Sequence, residues 1–233
     1  MPDVAAMVDH DWDTPSPGAK SSTDPDLTDA SAIKPDNDYK PGDIKIILLG
    51  DSAVGKSKLI ERYLLNAYTK HTASTYAVNI FSHVHKDTKS GREYKIDFWD
   101  TAGQEQFSNL HPSYYYEANC CILAFDVTRK ITYKNLDKWY ENCKNGVMRD
   151  IPVLCIANKI DFDPSSTQKK FQFAVKHKLP FFYVSAADGT NVVRIFEEAI
   201  ALAIKQKENP DKDDVLDDIM ALLQEDDNAA TMS

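Results

Sequence analysis

The apolar positions fall into short, nearly unbroken runs separated by segments of helical period. Residues 44–49, Ile-Lys-Ile-Ile-Leu-Leu, read as a strand buried on both faces. A loop over 50–57 follows, and then Leu59, Ile60, Tyr63 and Leu64 recur at helical spacing. Residues 77–86 alternate, with Val78, Ile80, Ser82 and Val84 on one face, and Lys89-Ser90-Gly91 turns the chain into a further run at 94–99. That pair reads as an antiparallel hairpin. Further strands are predicted at 120–125, 153–157 and 181–184, and helices near 133–144, 168–177 and 191–205. Pro152 and Pro180 stand just before strands, where a missing N–H is tolerated. The expected fold is α/β, a six-stranded mostly parallel sheet with one antiparallel edge hairpin and helices on both faces. No internal repeat is visible.

The ends break this rhythm. Residues 1–42 are rich in Asp, Pro, Ser and Thr with few aliphatics, so a disordered acidic tail is expected. Residues 43–209 form the expected domain, and 210–233 turn acidic again. In that last stretch Val215, Leu216, Ile219, Met220, Leu222 and Leu223 recur at helical spacing. A short amphipathic helix and a disordered tail both fit, because a helix of this length is marginal alone.

Composition changes the picture mainly through where the charge lies. The chain of 233 residues is 42% apolar and carries a net charge of −9. Residues 1–42 hold nine Asp against three Lys, and 210–233 hold eight acidic residues against one Lys, which leaves the middle at +4. Acidic tails flank a mildly basic core, and no nucleic-acid partner is expected. The cysteines, Cys120, Cys121, Cys143 and Cys155, form no C-x-x-C pair, and three lie in apolar runs, so buried thiols in a reducing compartment are expected. No basic leader precedes an apolar stretch, and no run of about 18 apolar residues occurs. Pro2 and the absence of a cysteine near the end lead us to expect a cytoplasmic chain without a lipid anchor.

The candidate chemistry lies after the predicted strands. Gly50-Asp51-Ser52-Ala53-Val54-Gly55-Lys56-Ser57 matches G-x-x-x-x-G-K-[ST] between a strand and a helix, with Lys58 following. Glycines let backbone amides wrap a phosphate, and the helix N-terminus adds positive charge there. Lys56 is placed to reach the β and γ oxygens, and the Ser57 hydroxyl to ligate Mg²⁺. Asp100-Thr-Ala-Gly103-Gln104 follows the run ending at Trp99. An acidic residue there is placed to hold Mg²⁺ through water. Gly103 can bring an amide against a terminal phosphate, and Gln104 can orient an attacking water. Asn158-Lys159-Ile160-Asp161 follows the fifth strand. The Asp161 carboxylate can accept two hydrogen bonds from guanine but would be left unpaired by adenine. Ser185-Ala186-Ala187 follows the sixth, placing an amide where the guanine oxygen would lie.

In this order and separation the motifs resemble the Ras superfamily across residues 43–207. The resemblance also assigns Thr75 as a second hydroxyl ligand to Mg²⁺ and Tyr68 as a cover for the base. It implies two switch segments, slow intrinsic hydrolysis catalysed by Gln104 and Lys56, an exchange factor and an activating protein. Phe98-Trp-Asp-Thr-Ala-Gly-Gln-Glu105, Phe107 and Tyr114-Tyr115 look like the Rab branch. Thr75-Tyr-Ala-Val-Asn-Ile80 departs from the Rab pattern, so standard Rab effectors should not fit. Ala187 stands where a lysine is frequent, and the C-terminal prenylation cysteine is missing. Lys130-Ile-Thr-Tyr-Lys-Asn-Leu is also similar to Ran.

Residues 51–59, 184–193 and Asp217-Asp-Ile are most similar to the unprenylated Rab-like protein two subfamily. That resemblance implies a monomeric GTP/GDP switch at the cilium or basal body, whose GTP state engages the intraflagellar transport machinery. A Ran-like nuclear-transport GTPase and a nucleotide-gated adaptor with negligible hydrolysis are the alternatives. No arginine stands in the catalytic loops of the sequence, which leaves a partner to supply one. Tyr114, Tyr115 and Tyr116 read equally as a partner surface or as packing.

Overall fold

The computed structural model describes residues 41–66, 75, 78–103, 114–147 and 149–209. Residues 1–40 of the first tail, the second tail, Tyr68 and Gln104 lie outside the described residues. The elements run β1 (Ile44–Leu49), α1 (Lys56–Leu65), β2 (Val78–Lys86), β3 (Glu93–Thr101), β4 (Cys120–Asp126), α2 (Lys130–Lys134), α3 (Leu136–Gly146), β5 (Val153–Asn158), α4 (Gln172–His177), β6 (Phe181–Tyr183) and α5 (Val192–Glu208), with a 3₁₀ turn at Pro164–Gln168. The strands form one sheet in the order β2-β3-β1-β4-β5-β6. β2 and β3 are antiparallel, and every other pairing is parallel.

The central strands are apolar on both faces because helices cover both. Ile44, Ile46 and Leu48 of β1 pack with Leu59 and Ile60 of α1 and with Ile195, Phe196, Ala199 and Ile200 of α5. Ile47 and Leu49 face the other way, towards Leu136, Trp139 and Cys143 of α3 and Phe173 of α4. Lys45 interrupts the first run without disturbing it. Its ammonium lies 3.5 Å from the centre of the Trp99 ring and donates to the Tyr116 carbonyl, and burial lowers its pKa to about 8.

β2 is the edge strand, and its alternation reads differently in the fold. The Val78, Ile80, Ser82, Val84 set faces outward, with Ile80 and Val84 exposed. The inward set is Phe81, His83 and His85, with Phe81 on the core, His83 edge-on to Tyr63 and His85 near Glu197. The helix expected at 133–144 is two. α2 begins earlier, where the Thr132 hydroxyl bonds the Arg129 and Asp126 carbonyls, and the chain breaks at Asn135, whose amide is drawn to Asp51. The segment expected as one helix over 168–177 divides likewise into the 3₁₀ turn and α4, with Tyr183 donating to the Lys169 carbonyl between them. All four cysteines are buried free thiols, and burial raises the pKa of Cys120, Cys121 and Cys155. No helix among the described residues is long and apolar enough to cross a membrane.

Candidate functional site

A parallel sheet of this kind collects its loops at the carboxyl ends of its strands. Gly50 follows β1, Asp100 lies near the end of β3, Asp126 and Asn158 close β4 and β5, and Ser185 follows β6.

The 50–57 loop alternates backbone hand, with Ala53 at φ 58° and Gly55 at φ 104°. A left-handed turn of this kind makes an anion-binding concavity. Gly55 also has a neighbour that forbids a side chain, because a Cβ there would lie 2.4 Å from the Asn158 amide nitrogen. At Gly103 a Cβ would lie 2.3 Å from the Asp51 carbonyl and 2.5 Å from the Lys56 ammonium. The strand end carrying Gly103 is thereby pressed against the loop. The Lys56 ammonium is buried at this point, donating to the Gly50 and Asp51 carbonyls at 2.7 and 3.1 Å.

Ser57, Thr75 and Asp100 converge. Ser57 Oγ donates to Asp100 Oδ2 at 2.5 Å, Thr75 Oγ1 donates to the same oxygen at 3.2 Å, and the two hydroxyls lie 3.0 Å apart. Asp100 sits inside β3, which runs two residues further than the sequence suggested. Its other oxygen, Oδ1, is buried without a hydrogen-bond partner. Burial raises the Asp100 pKa although Ser57 and Lys56 pull it down. An all-oxygen set with an unpaired buried carboxylate oxygen suits a hard divalent cation, so these three residues fit Mg²⁺.

Asn158 ties the 185–187 segment to the 50–57 loop. It is fully buried, donates through Nδ2 to the Val54 carbonyl at 2.8 Å and accepts from the Ala186 amide at 3.2 Å. Asp161 is exposed, with one oxygen accepting from Ser185 Oγ at 2.7 Å, so the carboxylate is oriented from behind and open in front. Arg62 of α1 holds the 186–187 segment by donating to the Ala186 carbonyl at 2.9 Å and to that of Ala187.

Three of the loop residues turn their side chains elsewhere. Asp51 accepts from Trp139 Nε1 and Asn135 Nδ2, each at 2.7 Å, so only its backbone belongs to the loop. Val54 is wholly buried, and Lys58 pairs with Glu61 at 2.7 Å. Ser52 and Ala53 stand at the loop's surface. Lys159, in left-handed backbone, turns its ammonium to Asp126 at 2.6 Å. Of the tyrosines, Tyr115 is buried, Tyr114 packs edge-on to Trp99 and Tyr116 is exposed.

The sequence reading missed Asp126, Arg62 and the Asn135–Trp139 support of Asp51. Asp126 closes its strand just as Asn158 does, and that position alone could have flagged it. The other contacts join residues more than 80 apart and leave no local signal.

A loop of alternating hand around a buried lysine, an oxygen triad beside it and a carboxylate held open by Ser185 meet at the sheet's carboxyl edge, and residues 45–205 match the Ras family, a class of nucleotide switch proteins. The chain belongs to that family of small GTPases. Among curated proteins it is 51% identical over 181 residues to Rab-like protein 2A of Pongo abelii, covering 78% of this chain and 77% of that one. Rab-like protein 2B of Homo sapiens is 50% identical over 181 residues, covering 78% and 77%. Ras-related protein Rab-11A of Dictyostelium discoideum is 34% identical over 159 residues, covering 67% and 73%.

Proposed function

We propose that this GTPase works in the cytoplasm, at the cilium or basal body, as a slow Mg²⁺-dependent switch. Its GTP state engages the intraflagellar transport machinery. The observation that carries the switch reading is the Ser57–Thr75–Asp100 triad, because it joins three separate segments at one cation position. Thr75 precedes β2, Asp100 lies near the end of β3 and Gly103 follows it, so cation and terminal phosphate are sensed by both ends of one hairpin. Bound Mg²⁺ would neutralise charge on the phosphate oxygens. Lys56 and the loop amides stabilise charge on the transferring phosphoryl group, and Gln104 orients the water. The transport reading is supported by similarity to the Rab-like relatives.

Single-turnover hydrolysis of Gln104→Leu should slow by about tenfold or more, as loss of a water-positioning group does. An unchanged rate favours an adaptor in which hydrolysis hardly matters. Affinity capture with the chain locked in GTP-analogue and GDP forms tests the rest. Enrichment of intraflagellar transport subunits on the GTP form is expected, and enrichment of nuclear-transport factors instead would establish the Ran-like alternative.

A further inference from the structure

The sequence places no arginine in the catalytic loops, yet the fold brings one to the phosphate loop from outside. Arg129, between β4 and α2, donates through Nη2 to the Ser52 carbonyl at 2.6 Å and through Nε to Asp126 Oδ2 at 3.0 Å. That same carboxylate oxygen accepts from Lys159 at 2.6 Å. Asp126 is buried, and its second oxygen is held by the amide and hydroxyl of Thr128 at 2.9 and 2.6 Å.

A phosphate-binding loop turns amides inward, and any of its carbonyls left on the outer side needs a donor of its own. Ser52 meets this need with a charged, planar donor that is simultaneously anchored to a second group. The loop that reads guanine ends on that second group, because Lys159 follows Asn158 directly and shares Asp126 with Arg129. Three loops distant in sequence are therefore linked, the phosphate loop through Arg129 and the 158–161 loop through Lys159, to one carboxylate. Displacing the phosphate loop outward would break the Ser52 contact and loosen the shared oxygen that steadies Lys159.

We infer that Arg129 is a positioning residue that couples the phosphate loop to the guanine-reading loop through Asp126 and so slows nucleotide release. This rests on the reading that these loops hold GTP and GDP. The guanidinium is suited to the task where an ammonium is not, since two divergent donors must serve two acceptors at once.

The test uses the full chain loaded with N-methylanthraniloyl-GDP and chased with excess GDP in Mg²⁺. Arg129→Ala should release the label on the order of tenfold faster, and Arg129→Lys, which can serve one acceptor, should fall between it and the native chain. Asp126→Asn should also accelerate release, but the double variant should be slower than the product of the two effects, as expected for residues acting through one contact. Arg149→Ala, which removes an arginine bonded to the Ala118 carbonyl, should leave release unchanged. Arg129→Ala releasing within twofold of the native chain, or independent multiplication in the double variant, overturns the inference. If Arg129→Ala does not fold, an unchanged rate in folded Arg129→Lys overturns it as well. A native chain that never takes up the label overturns the nucleotide reading along with it.

Discussion

At the scale of single residues, chemistry and burial divide the work. Asp161 stands open in front and is fixed behind by Ser185. Asp161→Asn should therefore shift preference from GTP towards xanthosine triphosphate, measured by competition binding; continued tight GTP binding would refute the base assignment. Asp126 carries a pH consequence. Burial alone would raise its pKa, but hydrogen bonds from Lys159 and Thr128 outweigh that and hold it below the ordinary carboxylate value. A depressed folded pKa gives stability that is complete above the unfolded value, near pH 4, and is lost as the pH falls through the folded one. Melting temperature should accordingly drop below about pH 4, and Asp126→Asn should lower stability at neutral pH while making that acid limb shallower. Residues such as Gly55 and Lys56 were legible in the sequence because their motif is contiguous. Arg129 was not, because its contact spans 77 positions and follows only from how β4 sits beside β1.

At the scale of elements, the strands were readable because a strand covered on both faces must be apolar along its buried length, as β4 and β5 are up to their closing Asp126 and Asn158. The helices over 130–146 and 164–177 were less so. Their breaks are set by tertiary bonds, Asn135 to Asp51 and Tyr183 to Lys169, that no local period encodes. β2 shows the same limit: on an edge strand, alternation gives two faces without saying which one a helix will cover. The inward face meets α1 through Tyr63, edge-on to His83, and α5 through Glu197 near His85, while Phe196 of α5 stacks on Tyr63 at 4.6 Å and meets Phe98 edge-on at 5.1 Å. Phe196 is fully buried, so Phe196→Ala should cost about 3–5 kcal/mol in a denaturant titration. A loss below about 1 kcal/mol would mean that the β3–α1–α5 junction repacks freely.

At the scale of the whole molecule, the described core carries every loop of the site except the parts holding Tyr68 and Gln104. A truncated chain of residues 40–209 should therefore bind guanine nucleotide as the full chain does, read by calorimetry. Loss of binding would mean that the acidic tails belong to the domain. A wider consequence comes from the antiparallel pairing of β2 with β3, in which Val78 lies opposite Thr101 and Asn79 opposite Asp100. The hairpin folds its entrance and exit onto one spot, so positions more than twenty apart along the chain lie side by side. A fluorophore attached where the ribbon begins would register events at its far end, and the chain needs no separate messenger between them.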